Sequence, residues 1–428
     1  MRVLITNDDG IAASGLEALR RALAGLDGIE VSVIAPDSNR SATARSITTR
    51  KPIWVEEVVF DDGSVGFATD GTPVDCVRFA DLGLVGERPD LIVSGINHGS
   101  NLGDDITYSG TVAAALEGIV LGIPAVALSL QSETSDTDFP WGREFDFASS
   151  AAFAGQLVRR LAEDPLPADT LLNVNCPAGE PTGVEITGLG KRVYEDELKL
   201  VEEDESGRRR YQIYGFEPSF EDEPGTDLSA IARRRVSITP VHFDLTDRQG
   251  LDRLRDADLE ATLSGAVGPA LEGIVLGIPA IAISQQSGAR EMGFLPGRAF
   301  DFAVAARLGA ELVRLQIGNP LPAETLLNVN CPAGEPNGVE VTRLGKRLYN
   351  DELRLVDEDG DGRRRYEIYG FEPSFEDEPG TDLSAVAQGR VSITPVHFDL
   401  TDREGLARLR QWDLGRIFSE ALADSTSP

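Results

Sequence analysis

The feature that most constrains the fold of this chain is an internal duplication. Within its 428 residues, the segment 107–259 recurs as 262–414 at a constant offset of 155 positions, without gaps. About seven positions in ten are identical between the two copies, and LLNVNCPAGEP stands at both 171–181 and 326–336. Two copies with so long a period do not form a solenoid. The chain therefore carries one half-domain twice, and only the first copy is preceded by residues 1–106.

The first eleven residues, MRVLITNDDGI, pass from an apolar run into two adjacent carboxylates. Residues 3–5 have the length and composition of a buried parallel strand. In open α/β sheets, ligands bind beyond the carboxyl ends of the strands, where Asp8 and Asp9 lie. A divalent cation would relieve the repulsion between them, whereas a solvated Asp-Asp-Gly turn uses the same residue types. This pattern alone leaves a metal site and a plain turn open.

The segment that follows predicts a β-α-β unit. Apolar residues recur at helical spacing, at Leu16, Leu19, Leu23 and Leu26, before a second apolar strand at 31–35. Polar residues follow that strand in APDSNRSATARS, at 35–46, and end a third strand in DLIVSGIN, at 90–97. Three strand ends therefore converge on one edge of the sheet. The chain has neither G-x-G-x-x-G nor G-x-x-x-x-G-K, so we expect no dinucleotide cofactor and no P-loop.

A second candidate binding element is the start of the alanine-rich helix in NLGDDITYSGTVAAALEG, at 101–118. Ser109, Gly110 and Thr111 stand where a helix N-terminus presents unpaired N–H groups and the positive end of its dipole. Small hydroxyl residues there allow a phosphate to approach, although ordinary N-capping uses them too. An oxygen-ligated metal together with an anion cradle is the minimum equipment for phosphoryl hydrolysis.

Composition favours an intracellular globular enzyme. The net charge is −31, and the only lysines are Lys51, Lys191, Lys199 and Lys346. An acidic surface that is poor in lysine is typical of a salt-adapted cytoplasm, and it repels nucleic acid and anionic membranes. The three cysteines are far apart, which argues against a disulfide framework or a zinc cluster. Since neither a signal peptide nor an apolar run of about 18 residues is recognisable, we expect a cytoplasmic protein.

The second copy lacks every counterpart of residues 1–106. It therefore has no equivalent of Asp8 or Asp9, and its helix start reads SGAVGPALEG, with Ala266 in place of Thr111. We expect one active site per chain. The strands against which the second copy would pack are missing, so its sheet has an unfilled edge. That half must dock on something, stay partly disordered or compete with the first copy for the N-terminal half.

Residues 1–260 resemble the SurE family (survival protein E), metal-dependent nucleoside monophosphate phosphatases. The resemblance rests on several ordered motifs, namely TNDDG at 6–10, PDxxRSA at 36–42, SGIN at 94–97, NLGDDITYSGT at 101–111 and the late SITPVHFDLT. Residues 1–260 would then be a complete domain of this kind. Residues 261–428 would be a partial duplicate of its C-terminal half, matching 107–259 and lacking the metal site.

The resemblance implies a three-layer, Rossmann-like α/β sandwich with a mostly parallel central sheet. It also implies an extended C-terminal β-hairpin arm, through which the family assembles dimers or tetramers, so we expect a homo-oligomer. One divalent cation per chain, Mg²⁺ or Mn²⁺, would be held by the residues that match the family's ligands, which are Asp8, Asp9, Ser41 and Asn97.

The implied reaction is hydrolysis of a small-molecule nucleotide, a 5′- or also a 3′-nucleoside monophosphate, to nucleoside and phosphate. Cleavage of short polyphosphates is a further implied activity. Asp8 or Asp9 would orient the attacking water or take its proton. The remaining phosphate oxygens would be held by Asn101, Ser109, Gly110 and Thr111. His98 is a candidate general acid, with a polar loop residue as the alternative. Two other functions stay open: an inactive or regulatory pseudo-dimer, and a metal-dependent nucleoside hydrolase that releases free base.

Overall fold

A computed structural model describes most of the chain. The described residues are 1–48, 51–132, 145–167, 169–193, 196–204, 206–215, 219–255, 278–286, 302–318, 320–322, 325–370, 374–397 and 399–425. They divide into two compact units, and neither unit is continuous in sequence. Unit 1 comprises Met1–Phe243, Glu352–Tyr369 and Thr401–Pro428, and unit 2 comprises Asp244–Asp351 and Gly370–Leu400. The altered helix start of the second copy and the predicted boundary near 260 lie outside the described residues.

The strands are numbered in chain order. Those of the first copy and the N-terminal half are β1 Arg2–Thr6, β2 Glu30–Pro36, β3 Ile53–Val59, β4 Val65–Thr69, β5 Leu91–His98, β6 Ala125–Leu130, β7 Leu171–Cys176, β8 Val184–Ile186, β9 Arg192–Val193, β10 Asp196–Glu203, β11 Arg209–Gly215, β12 Ser219–Phe220 and β13 Val236–Val241. Those of the second copy are β14 Ala280–Gln285, β15 Leu326–Cys331, β16 Val339–Val341, β17 Arg347–Leu348, β18 Asp351–Glu358, β19 Arg364–Gly370, β20 Ser374–Phe375 and β21 Val391–Val396.

The helices are α1 Ser14–Ala24, α2 Pro73–Asp81, α3 Gly110–Val120, α4 Ala148–Glu163, α5 Asp227–Ala232, α6 Arg248–Arg255, α7 Ala303–Gly318, α8 Asp382–Ala387, α9 Arg403–Leu409 and α10 Leu414–Ser425, with a 3₁₀ turn at Gly103–Thr107. No helix in the described part of the chain has the length and apolarity needed to cross a membrane.

Unit 1 is built on one large sheet. Its strand order is β18-β19-β3-β4-β2-β1-β5-β6-β7-β13-β8. The stretch from β4 to β7 is parallel, whereas β3 and β19 at one side, and the β7–β13 pair at the other, are antiparallel. This arrangement confirms the predicted α/β fold with a mostly parallel sheet. The predicted arm is the β10–β11 hairpin, a two-stranded sheet of its own.

Helices cover both faces of this sheet. Val3 and Ile5 of β1 share one apolar cluster with Leu16 of α1 and Leu157 of α4. Because side chains alternate along a strand, Leu4 faces the other side. On that other side α3 packs so closely that a Cβ at Gly118 would lie 2.6 Å from Ile92 of β5. The unit therefore has the three predicted layers, helix, sheet and helix.

Unit 2 contains a four-stranded sheet in the order β14-β15-β21-β16. Its pairings repeat those of β6, β7, β13 and β8 at the 155-residue offset, with β15 antiparallel to β21 and β16 parallel to it. Its core joins Leu327 and Val329 of β15 to Leu308 of α7. Among the described residues β14 pairs only with β15, so the edge that β5 covers in unit 1 has no strand beside it here.

Candidate active site

The site lies at the point in the central sheet of unit 1 where the strand order reverses, on either side of β1. β1 is flanked by β2 on one side and by β5 on the other, and successive strands then follow outward in both directions. Such a switch point leaves a crevice beyond the carboxyl ends of the two central strands. Asp8 and Asp9 follow β1, and Asn97 and His98 end β5. The structure thus brings these four residues to one crevice, as their strand positions predict.

A tight turn carries the two aspartates. The Asn7 side chain closes it, because its amide nitrogen donates to the Gly10 carbonyl at 3.0 Å and its oxygen accepts the Gly10 N–H at 3.1 Å. Gly10 has φ of +109°, a conformation that L side chains rarely adopt, and a Cβ there would lie 3.2 Å from the Ser38 backbone. The turn is therefore rigid and tightly packed, which fixes where both carboxylates point.

Asp8 is buried against the start of α3. Its carboxylate Oδ1 accepts a hydrogen bond from the Thr111 hydroxyl. Helix and carboxylate are so close that a Cβ at Gly110 would lie 2.7 Å from the Asp8 side chain. Burial and the charge of Asp9 raise the pKa of Asp8 to about 6, although the Thr111 hydrogen bond opposes that shift. Only glycine at position 110 allows this approach.

Asp9 is held by neutral donors. Its Oδ1 accepts from the Asn39 side-chain nitrogen at 3.1 Å, and its Oδ2 accepts from the His98 backbone N–H at 3.1 Å. Burial raises the pKa of Asp9 to about 6, and the His98 N–H acts in the opposite direction. Among the described residues, neither Asp8 nor Asp9 forms an ion pair with lysine or arginine. Two buried carboxylates that lack a cationic partner are a fitting environment for a divalent cation.

The two remaining predicted ligands border this pair. The Asn97 amide nitrogen donates to the Gly99 carbonyl at 2.9 Å. The amide oxygen of Asn97 is the atom that can coordinate a cation. Ser41 is exposed, in the loop after β2, and its backbone N–H donates to the Asn39 side-chain oxygen at 2.9 Å. The set of carboxylate, amide and hydroxyl oxygens suits Mg²⁺ or Mn²⁺. No group of three or more His, Cys, Asp and Glu side chains suited to a metal occurs in the described ranges.

The loop that carries Ser41 is tied to both sides of the crevice. The Arg40 N–H donates to the Asp8 carbonyl at 2.6 Å, and the Ala44 N–H donates to the Tyr108 carbonyl at 3.1 Å, one residue before Ser109. Arg45 then pairs with Glu117 of α3 at 2.5 Å. Ser41 therefore lies on a stretch that runs from the aspartate turn to the start of α3.

The predicted phosphate-binding residues have structural partners. The Ser109 oxygen caps α3 by accepting the Val112 N–H at 3.1 Å, as the capping interpretation predicts. Its hydroxyl hydrogen can still be donated to an anion. The buried Asn101 side chain donates to Ser129 at 2.8 Å, and its backbone carbonyl accepts from the side chains of Asn173 and Asn175. Asn101 thus anchors the loop before α3.

His98 lies in an aromatic stack. Its ring is 5.0 Å from the rings of both Phe145 and Phe147. Its Nε2 lies 3.3 Å from the Ser14 hydroxyl, and its Nδ1 lies 3.9 Å from Asp9. Burial lowers the pKa of His98, with the Asp8 charge acting in the opposite direction. The ring therefore borders the carboxylate pair and is neutral near pH 7.

Several contributors escaped sequence reasoning. Asn39 fixes Asp9, and Phe145 and Phe147 lie against His98. Thr111 was predicted as a phosphate-binding residue, whereas its hydroxyl donates to Asp8 in the structure. Asn39 stands in the quoted PDxxRSA segment, at a position for which any residue was admitted. The sequence did contain a signal for this contact, because the Asn39 side chain is a hydrogen-bond donor in a loop that was expected to border the two aspartates. Phe145 and Phe147 are distant from His98 in sequence, so only tertiary packing brings their rings together.

Comparisons with known proteins identify the family of this chain. The sequence model of the family described as survival protein SurE matches residues 3–196 and 252–351. The chain is 52% identical over 268 residues to a protein named 5′-nucleotidase SurE from Rubrobacter xylanophilus, covering 60% of this chain and 98% of that protein. It is 48% identical over 260 residues to the 5′-nucleotidase SurE of Desulforudis audaxviator, covering 60% of this chain and 96% of that protein.

A solved structure matches as well. The crystal structure of the SurE protein from Aquifex aeolicus is 38% identical to this chain, with a TM-score of 0.51, and covers 60% of this chain and 99% of that one. The match over nearly the full length of each relative leaves the duplicated part of this chain as an addition. The sequence model, the relatives and the arrangement around Asp8 and Asp9 lead to one conclusion, that the chain belongs to the SurE family.

Proposed function

We propose that this protein is a metal-dependent phosphoric monoester hydrolase that cleaves nucleoside monophosphates to nucleoside and phosphate. The observation that carries the proposal is the pair of buried carboxylates, Asp8 and Asp9, at the switch point of the sheet, where Asp8 contacts the start of α3. The names of the relatives, 5′-nucleotidase SurE, support the same reaction. The acidic, lysine-poor composition supports a cytoplasmic location for it.

The residues that would hold the cation are Asp8, Asp9, Ser41 and Asn97. They fit it, because the two carboxylates have raised pKa values and lack an arginine or lysine partner in the described part of the chain. When bound, one Mg²⁺ or Mn²⁺ neutralises charge on a phosphate oxygen and lowers the pKa of water.

The chain's own residues orient the two carboxylates. The Thr111 hydroxyl holds Asp8, while the Asn39 side chain and the His98 N–H hold Asp9. One of the two carboxylates orients the attacking water and accepts its proton. Because the three donors are fixed by a helix, a loop and a strand end, the carboxylates need little reorganisation during the reaction.

The start of α3 would bind the phosphate group. Backbone N–H groups at a helix N-terminus and the dipole of this 11-residue helix favour an anion. The Ser109 hydroxyl adds a donor, and Gly110 keeps this surface open next to Asp8. Asn101 supports the loop that leads into this helix. In its imidazolium form, which burial disfavours, His98 would donate a proton to the leaving alkoxide from its position beside Asp9.

The test is product analysis with purified full-length protein. With Mg²⁺ or Mn²⁺ we expect phosphate and nucleoside from 5′- and 3′-monophosphates, and phosphate alone from short polyphosphate. With a chelator we expect no product. Release of free base in place of phosphate would identify a nucleoside hydrolase. Absence of turnover in a protein that binds nucleotide and metal would favour the regulatory pseudo-dimer. Either outcome would contradict the proposal.

A further inference from the structure

Unit 1 is completed by a tail from the second copy, residues 401–425. Thr401 forms a β-bridge with Val241, the last residue of β13, and its hydroxyl accepts the Leu189 N–H at 3.0 Å. The next residue, Asp402, donates its N–H to the Pro240 carbonyl at 2.8 Å. The second copy's tail therefore continues from the end of the first copy's β13.

Unit 2 holds the equivalent tail of the first copy. Thr246 forms a β-bridge with Val396, and its hydroxyl accepts the Leu344 N–H at 3.1 Å. Asp247 donates its N–H to the Pro395 carbonyl at 2.9 Å. Each of these residues corresponds to its counterpart in unit 1 at the 155-residue offset. The two copies have thus exchanged equivalent segments, 246–255 and 401–410, which is the defining feature of a domain swap, here within one polypeptide.

The tail covers apolar surface on α4. Ile417 and Ala421 of α10 are 3% and 4% exposed and belong to the same cluster as Leu157 and Leu161 of α4. Just before α10, the Trp412 Nε1 donates to Asp164 at 3.2 Å, at the end of α4. Without residues 401–425 this face of α4 would be bare.

A second contribution is the arm of the second copy, β18–β19. β19 extends the central sheet by pairing antiparallel to β3, with Arg365 opposite Trp54. The guanidinium of Arg365 lies 4.6 Å from the Trp54 ring centroid, and Arg363 pairs with Glu56 at 2.9 Å. An otherwise open edge of the sheet is thereby closed.

The first copy's arm shows what happens without a receiving strand. It carries the same Arg-Arg-Arg-Tyr sequence at 208–211 that the second arm carries at 363–366. In the described residues, β10 and β11 pair only with each other, and Leu198 and Ile213 are 72% and 71% exposed. Unit 2 has no counterpart of β3, because the second copy lacks the equivalent of residues 1–106.

We infer that the duplicated half is an internal partner: its arm, 352–369, and its tail, 401–425, bind unit 1 of their own chain and complete it. A chain with a single copy could cover β3 and α4 in this exchanged manner only with the arm and tail of another molecule. With two copies present, the exchange takes place within one chain. The interaction surface formed by β3 and α4 is therefore occupied by the same molecule.

A disulfide across β3 and β19 tests this inference independently of any activity. Directly opposed residues of antiparallel strands have the spacing that a disulfide needs, so Trp54→Cys together with Arg365→Cys is suitable. The three natural cysteines are buried and form no disulfide, which keeps the background low. We expect the oxidised double variant to have the mass of one chain, with both introduced thiols protected from alkylation.

The matched control co-expresses the two single variants, Trp54→Cys and Arg365→Cys, with distinguishable tags. We expect no covalent pair that carries both tags, because each cysteine faces an unmodified residue of its own chain. A disulfide-linked pair in this mixture would show that the arm binds another molecule and would overturn the inference. Failure of the folded double variant to link at all would overturn it too, since β19 would then not lie on β3.

Discussion

Asp8 and Asp9 carry two negative charges into a buried turn, and the pKa of each is raised from 3.8 to about 6. The chief cause is burial. The hydrogen bonds from neutral donors lower the pKa values only in part. Without metal, the stability of the fold therefore falls as pH rises from about 4 to about 6, and above about pH 6 the full cost of the charged pair is present. Binding energy from a cation and its substrate must offset this cost, so the local instability is a consequence of the proposed function.

This charge pair predicts how a metal stabilises the fold at different pH. Both carboxylates must be deprotonated to bind the cation, and protons compete with it below the folded-state pKa of about 6. We expect Mn²⁺ to raise the melting temperature more at about pH 7.5 than at about pH 5. Thermal unfolding with and without Mn²⁺ measures this. An equal shift at both pH values would show that the metal binds elsewhere.

A second residue-scale prediction concerns the hydroxyl on Asp8. Thr111→Val keeps the side-chain shape and removes the donor to Asp8. A hydrogen bond to a charged group contributes about 1.5–3 kcal/mol, so kcat/KM should fall about tenfold to a hundredfold. Steady-state kinetics measures the loss, and Thr111→Ser should restore most of the activity. If the valine and serine variants behave alike, the hydroxyl does not position Asp8.

At the scale of elements, the site depends on how closely α3 approaches the turn after β1. A Cβ at Gly110 would lie 2.7 Å from Asp8, so Gly110→Ala must displace one of them. A misplacement of this kind costs about a hundredfold in rate. Gly155→Ala is the matched control, because nothing lies within 4 Å of its Cβ position. Circular dichroism and kinetics should show two folded proteins, of which only the control is fully active.

The tail gives the second element-scale prediction. Trp412 is 8% exposed and hydrogen-bonds to Asp164 at the end of α4. Trp412→Ala should lower the free energy of unfolding by about 3–5 kcal/mol, measured by urea denaturation. The neighbouring exposed Gln411→Ala should leave it unchanged. Equal stability of both variants would mean that the tail does not hold unit 1 together.

The sequence predicted the strands and helices of unit 1 better than the side-chain contacts between them. The apolar run before Asp8 and the helical spacing of Leu16 and Leu19 sufficed for β1 and α1, because both are local patterns. The contacts of Asn39 with Asp9 and of Thr111 with Asp8 join distant segments, which no local pattern reports. The family resemblance, rather than spacing, suggested Ser41 and Asn97 as ligands.

At the scale of the whole molecule, the sequence shows the duplication but does not predict the exchange of tails between the two copies. The tail segments 246–255 and 401–410 have nearly the same sequence, so sequence cannot say which unit each of them joins, whereas residues 415–425 have no counterpart in the first copy. The expectation of an unfilled sheet edge on the second copy matches the position of β14 at the edge of its described sheet. Which unit each of the two segments joins depends on tertiary geometry, because both segments fit either receiving surface.

Under the proposed function, unit 1 holds the catalytic centre of the chain, since the second copy has no equivalent of Asp8 or Asp9. Asp9→Asn should therefore abolish turnover while the fold is retained. The exposed Asp61→Asn provides the matched control, because that side chain is 98% exposed.

The most direct test is the initial rate of phosphate release from a nucleoside 5′-monophosphate by the full-length protein. It should be measured as prepared with Mn²⁺, after chelation, and after the metal is added back, for the natural chain, Asp9→Asn and Asp61→Asn. We predict a rate that disappears on chelation, returns with metal and is absent only in Asp9→Asn. Phosphate release that persists after chelation, or in Asp9→Asn, would contradict the central claim that the carboxylate pair forms a metal-dependent phosphatase site.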